Sequence, residues 1–166
     1  MPLMHKMTSE FVEDEDRMRL TGELKEGGTV VIWLTQRLLT RLLPHLFKWL
    51  EKQTGSNLPP ELVLSFAQQA ARAELSPEPP VKSSQDAQAW LAHAVDITAE
   101  EAGLRLLFRS LQQDQAGVTL QPQQLRQWLS ILHDLWRRAE WSVGLWPEWI
   151  VSSEPAATSR MRSPLH

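Results

Sequence analysis

The sequence predicts an α+β fold: two β-β-β-α repeats related by pseudo-twofold symmetry, each an antiparallel three-stranded sheet covered on one face by an amphipathic helix, with extra helices between the repeats. Three observations predict it. Leu38, Leu39, Leu42, Leu43, Leu46 and Leu50 recur at the i, i+3, i+4, i+7 spacing of one helical stripe. A second stripe of this kind follows at Leu125, Trp128, Leu129, Leu132, Leu135 and Trp136. Ahead of each lie short runs that alternate polar and apolar residues, as half-buried strands do.

Residues 1–8 read as a flexible leader, and 9–75 hold the first repeat with its following helix. Phe11-Val12 is a short strand, and Glu13-Asp14-Glu15-Asp16 is too charged to bury and forms a turn. Arg17 to Leu24 alternates with period two. Gly27-Gly28 supplies the positive φ angles of a tight reversal into the β-branched run Thr29 to Leu34. That run leads into helix 36–52, which Gly55 closes as its C′ residue. Pro59-Pro60 opens another helix to about Leu75, whose stripe of Leu62, Val63, Phe66, Ala67, Ala70 and Ala71 suits close packing against a neighbour.

Residues 76–86 form a Pro/Ser-rich linker that cannot continue a helix. Residues 87–150 then hold a short helix, the second β-β-β-α repeat and a Trp-rich segment. Ser83 and Asp86 make a capping box for the short helix, which carries Ala87, Trp90, Leu91 and Ala94. Strands follow at Val95 to Thr98, Leu104 to Arg109 and Val118 to Leu120, and Pro122 opens the second long helix. The small, polar residues of 151–166 read as a disordered tail. A shift of 86 residues lays Phe11 on Ile97, Arg19-Leu20 on Arg105-Leu106, Leu34 on Leu120 and Leu39 on Leu125. Three strands and a helix bury little alone, so the two units are expected to pack together.

Composition limits the function. With 166 residues, 42% of them hydrophobic, the chain has material for one core or two small ones that share an interface. A net charge of −3 and a pI near 6.0 leave no global basic field to attract a phosphate backbone. Cysteine is absent, which removes disulfides, thiolate metal sites and thiol nucleophiles and fits a reducing compartment. No run approaches the roughly 18 apolar residues of a membrane span, and the first residues lack the pattern of a secretory signal. The expectation is a soluble, cytoplasmic protein.

No motif for chemistry stands out. His45 and the His133-Asp134 pair lie on the two long helices without the His-x-x-x-His or Glu-x-x-His spacing of a metal site, so both read as surface or boundary histidines. The acidic run 13–16 lacks the ligand spacing of a calcium loop and reads as a solvated turn. Neither a phosphate-binding glycine loop nor a serine nucleophile elbow occurs. The expectation is a protein without metal, cofactor or catalytic site, and not an enzyme.

What remains is association. In the strand Thr29 to Leu34, residues Val30, Ile32 and Leu34 face the helix, while Val31 and Trp33 leave apolar area on the opposite face. Trp146 and Trp149 beside the tail are large, low-entropy anchors. These four residues are the candidate contacts of a protein–protein interaction module, an adaptor, assembly factor or subunit, expected to be a homodimer. The alternative is single-stranded nucleic-acid binding by Arg17, Arg19, Arg105 and Arg109 around Trp33, which the neighbouring acidic turns oppose. The basic face of helix 36–52 offers a weaker third reading, peripheral membrane association. The second long helix keeps the leucine stripe and loses much of that basic face, so sheet packing accounts for both helices.

Overall fold

Alternating and β-branched segments become strands in a computed structural model that describes residues 1–53 and 58–153. The strands are β1 (Met4–Val12), β2 (Arg17–Leu24), β3 (Thr29–Leu34), β4 (Gln88–Leu91), β5 (Ala94–Glu100), β6 (Gly103–Arg109) and β7 (Gln115–Leu120). They form a four-stranded sheet in the order β1-β2-β3-β4 and a three-stranded sheet in the order β5-β6-β7. Pairing is antiparallel except between β3 and β4. The helices are α1 (Gln36–Lys52), α2 (Pro60–Ala73), α3 (Pro122–Arg138) and the single turn α4 (Glu148–Val151).

The long helices start where their end groups find partners. The Thr35 hydroxyl accepts from Leu38 N–H at 3.1 Å and caps α1. At α3, Gln121 and Gln124 form a reciprocal capping box, with Pro122 in the first turn, where its missing N–H costs nothing. Register then sets the faces. Leu20 lies opposite Ile32 and Met18 opposite Leu34 in the first sheet; Leu106 lies opposite Val118 and Leu104 opposite Leu120 in the second. These residues join Leu39, Leu43 and Leu46 of α1 and Leu125, Leu129 and Leu132 of α3 in one continuous core. α3 is not confined to its own sheet, because Trp128 Nε1–H donates to Ser9 Oγ of β1 at 2.9 Å. Among the described residues, no helix is long and apolar enough to cross a membrane.

The structure departs from the sequence expectations in five places. Residues 4–8, expected as part of a leader, pair in β1, and Met4 is buried against Gly22, where an added Cβ would lie 2.1 Å from the Met4 sulfur. A bulge between Met4 and Lys6 breaks the period-two pattern that would have revealed this strand. Residues 88–91, expected as a helix, form β4 and add a fourth strand to the first sheet, with Trp90 opposite Ile32. Four residues are too few to display a period, and pairing with β3 decides the conformation.

The other three concern two connections and the C-terminal end. β4 runs through Ala92-His93 straight into β5: Ala92 N–H donates to the Trp33 carbonyl in one sheet, and His93 N–H to the Arg109 carbonyl in the other. On the far side, an isolated parallel bridge joins Leu3, just ahead of β1, to Gly117 of β7. The linker 76–86 is irregular, as expected, but it is tied to the first sheet. Val81 N–H donates to Thr8 Oγ1 and Ser84 N–H to Thr29 Oγ1, both at 2.8 Å. At the C-terminal end, Val151 closes α4 and Ser153 is buried, so residues 151–153, expected as the start of a disordered tail, belong to the fold. The expected helix stop at Gly55 and tail residues 154–166 lie outside the described residues.

Candidate interaction surface

The aromatic candidates near the C-terminus are turned inward by their own chain. Trp146 and Trp149 are each 5% exposed. The Trp146 ring lies 5.4 Å from Phe47, 4.9 Å from His133 and 5.7 Å from Trp136, and the Trp149 ring lies 6.1 Å from Phe47. Trp149 Nε1–H also reaches Glu51 Oε2 at 3.4 Å. These tilted and edge-on contacts, between centroids about 4.5–7 Å apart, are favourable arrangements for aromatic rings. They bind residues 141–153 to the core. His133, expected at the surface or boundary, is 3% exposed as a result.

Val31 and Trp33 do lie on the outward face of the first sheet, but neither is freely exposed. Register aligns Thr8, Thr21, Val31 and Ala89 in one row across the four strands. Val31 and Thr21 are buried, and the linker is anchored on this same face at Thr8 and Thr29. Trp33 is half-buried, with the Arg19 guanidinium 5.8 Å from its ring centroid. The four arginines do not converge. Arg17 and Arg19 belong to β2, and Arg105 and Arg109 to β6 in the other sheet. Three have acidic partners on adjacent strands: Arg19 with Glu10 at 3.3 Å, Arg105 with Glu100 at 3.0 Å, and Arg109 with Asp96 at 2.8 Å. A strand-binding groove needs cations left over for phosphate, and these pairs offset that potential.

Among the described residues, an apolar row that remains open lies on α2. This helix turns Leu64, Gln68 and Ala71 inward, and it packs mainly on α3 and α4, with a smaller contact to α1. The roll of the helix is set by polar groups. Gln68 Nε2–H donates to the Arg126 carbonyl and the Ser130 hydroxyl, each at 2.7 Å, and Gln127 Nε2–H donates to the Ala71 carbonyl at 3.0 Å. Leu62, 42% exposed, and Phe66, 55% exposed, therefore point away from the core, and Ala70 and Ala73 continue the same side. Leu58 before the helix and Leu75 after it are also exposed, and Leu75 lines the groove beside β1. Single exposed leucines are ordinary on a soluble surface, whereas a contiguous apolar row marks an interaction site.

Sequence periodicity brought Leu62, Phe66 and Ala70 to attention, but grouped them with residues that the fold divides between two sides. Leu64 and Gln68 carry the inward side, and a glutamine at the centre of a packed face has no signature in a hydrophobic pattern. Arg126 was equally hidden. Its side chain is buried beside Trp149, with the guanidinium carbon 5.9 Å from the ring centroid, and desolvation pushes its pKa below the usual arginine value. Its Nη1 has no hydrogen-bond partner. Elsewhere, a groove of about 700 Å³ opens between β1 and β7, with Trp128 and Ile131 of α3 and Pro79-Pro80 of the linker among its walls.

No protein-family model matches the chain, no curated protein is similar to it, and no solved structure is similar to it.

Proposed function

We propose that this protein is a non-enzymatic protein–protein interaction module, an adaptor, assembly factor or subunit, that docks through the outward side of α2. The observation that carries this reading is the exposure of Leu62 and Phe66 in one row, on a helix whose other side is fixed by packing and hydrogen bonds. Aromatic and aliphatic side chains on a rigid helix lose little entropy on binding, which is the usual makeup of an interface centre. Val31, Trp146 and Trp149 are already covered and serve the module as support; Trp33 is left as a half-buried contact at its margin.

The test is recovery of partners from the native cell with tagged wild-type protein and with Phe66→Glu, alongside thermal melts of both. Loss of a specific co-purifying chain, with an unchanged melt, supports the reading; equal recovery by both proteins overturns it.

Two further readings belong to this proposal. The two β-β-β-α units are taken as a duplicated element with pseudo-twofold symmetry. The support is that β6, β7 and α3 begin 86 residues after β2, β3 and α1, at Gly103, Gln115 and Pro122 against Arg17, Thr29 and Gln36. On this reading the fragment 1–75 pairs with itself in place of the missing unit, and an unfolded monomeric fragment argues against it. A cytoplasmic location is supported by the lack of cysteine; fractionation that recovers the protein with membranes or outside the cell would refute it.

A further inference from the structure

We propose that the groove between β1 and β7 receives an extended peptide of alternating apolar and acidic residues, which adds to the free edge of β1 as an antiparallel strand. The site is separate from the outward row of α2 and does not rest on it. Its occupant is identified chiefly by its backbone, and three observations carry the proposal.

The first is the meeting of two sheet edges. β1 ends one sheet and β7 the other, while β4 passes directly into β5 with hydrogen bonds to both sheets, so β1 and β7 flank an open seam. They touch at one end, through the parallel bridge of Leu3 with Gly117, where Gly117 N–H donates to the Pro2 carbonyl at 2.8 Å. Beyond that bridge, among the described residues, no strand pairs with either edge, and residues 4–9 of β1 and 118–120 of β7 wall the groove of about 700 Å³. An edge strand carries a row of unpaired N–H and C=O groups, and a strand laid beside it satisfies them. Because β1 and β7 run the same way at the bridge, one peptide can lie antiparallel to both, which is the more stable pairing.

The second is that the linker borders the groove without taking the edge. Pro79 and Pro80 have no N–H to give, and Val81 N–H donates to the Thr8 hydroxyl at 2.8 Å, a side-chain contact. Among the described residues, no backbone hydrogen bond joins 76–81 to β1. The third is the lining. Period two along β1 sets Met7 and Ser9 inward, where Met7 packs against the core and Ser9 accepts from Trp128. Trp128 and Ile131 of α3 line the groove with Val118 and offer apolar contact to alternate side chains of an added strand. Lys6 lies with Thr8 on the other face of β1, exposed and without an acidic partner among the described residues, so an acidic side chain on the added strand can pair with it. Of the carboxylates in the groove, Glu74 accepts from Gln123, and Glu78 stands on the linker.

The experiment titrates the full chain into a fluorescein-labelled peptide of about six alternating valine and glutamate residues, the usual length of a strand, and follows anisotropy. Two further peptides carry backbone N-methyl groups, one on its valines and one on its glutamates, because each set of N–H groups points to one side of a strand. Hydrogen exchange of the saturated complex locates the peptide. The expected result is saturable binding that at least one of the N-methylated peptides loses by about tenfold or more, the worth of one or two hydrogen bonds. Exchange should slow at residues 4–9 and 118–120 and stay unchanged in α2. Lys6→Glu, a change at an exposed position, should weaken binding several-fold. Phe66→Glu should bind as the wild type does.

A lack of saturable binding overturns the proposal. So does binding that both N-methylated peptides retain, since side chains alone then hold the ligand, and so does an affinity that Lys6→Glu leaves unchanged. Protection confined to α2, or binding lost in Phe66→Glu, overturns it as well and places the peptide on the outward row of that helix. A free protein that is dimeric, with residues 4–9 already protected, also overturns it, because a second copy then holds the edge. The N-methyl comparison uses wild-type protein throughout, so its outcome does not depend on the folding of any variant.

Discussion

Gln68 and Ser130 join α2 to α3 through a hydrogen bond of 2.7 Å, with both side chains out of solvent. The same amide nitrogen holds the Arg126 carbonyl, so one side chain of α2 fixes two successive turns of α3. This link decides which side of α2 the solvent sees. Both of its arcs are apolar enough to pack, and Gln68 sits at the centre of the one that meets Ser130.

Replacing Gln68 should therefore weaken the molecule in a graded way. Gln68→Leu removes two buried hydrogen bonds, but also an Oε1 atom that has no partner, so the net loss is about 1–2 kcal/mol. Gln68→Glu should cost more near neutral pH, because an ionised carboxylate in this site is desolvated and faces the Arg126 carbonyl. Burial raises the folded-state pKa of that new carboxyl above its unfolded value. Its neutral form is then favoured, and stability relative to wild type is lost as pH rises through the folded pKa. Urea melts of the three proteins at pH 5 and pH 7 check both the ranking and the sign, and a glutamate variant that gains on wild type as pH rises would contradict the geometry.

Arg126 presents the opposite case, a buried charge whose removal should help. Its Nη1 is buried without a hydrogen-bond partner, and desolvation depresses its pKa, so the protonated guanidinium carries an uncompensated cost in the folded state. Stacking on Trp149 offsets only part of that cost. Arg126→Met keeps the length and the contact with the ring while removing the charge. The expected outcome is a gain of about 1–3 kcal/mol, or a rise of roughly 2–4 °C in Tm per kcal/mol for a chain of this size. A drop in calorimetric Tm would mean that the guanidinium has a stabilising role in the folded chain.

The C-terminal tryptophans should behave as core residues. Trp146→Ala empties a site bounded by Phe47, His133 and Trp136 and should cost about 3–5 kcal/mol. Trp146→Phe should cost far less, roughly 1–1.5 kcal/mol, because the indole Nε1 that it gives up is buried without a partner. Denaturant midpoints separate the two variants. Equal midpoints for wild type and Trp146→Ala would mean that this segment does not dock on its own domain.

Much of the architecture was legible because it depends on periods that a sequence displays. The leucine stripe of α1, the alternation in β2, the paired glycines before β3 and the proline opening α3 all lie where local chemistry places them. What escaped depended on partners remote in sequence. β4 is a strand because β3 offers its edge to Trp90, and the start of β1 is hidden by its bulge. Trp146 and Trp149 read as anchors for another molecule because nothing in residues 141–153 names Phe47 as their cover. The candidate surface was half legible, since periodicity picked out Phe66 and Leu62, while Gln68, which turns them outward, looks like any surface glutamine.

Gly103 offers the sharpest check on the register of the second sheet. It has φ of +148°, a conformation that side chains resist, and an added Cβ would lie 2.2 Å from the Leu120 carbonyl oxygen. That oxygen belongs to backbone held by the pairing of Leu104 with Leu120, so it cannot move aside as a flexible side chain could. Gly103→Ala must therefore either strain the turn or separate β6 from β7 where α3 begins, at a cost of about 3 kcal/mol or more. Gly144 is the matched control, since an added Cβ there meets nothing within 4 Å and its φ is not positive. Gly144→Ala should be neutral or stabilise by about 0.4–1 kcal/mol through the unfolded chain. Hydrogen exchange read alongside the melts locates the damage. Loss of protection in β6 and β7 of Gly103→Ala, with β2 and β3 less affected, is the expected pattern, and wild-type stability of Gly103→Ala would mean that Leu104 and Leu120 are not paired in this register.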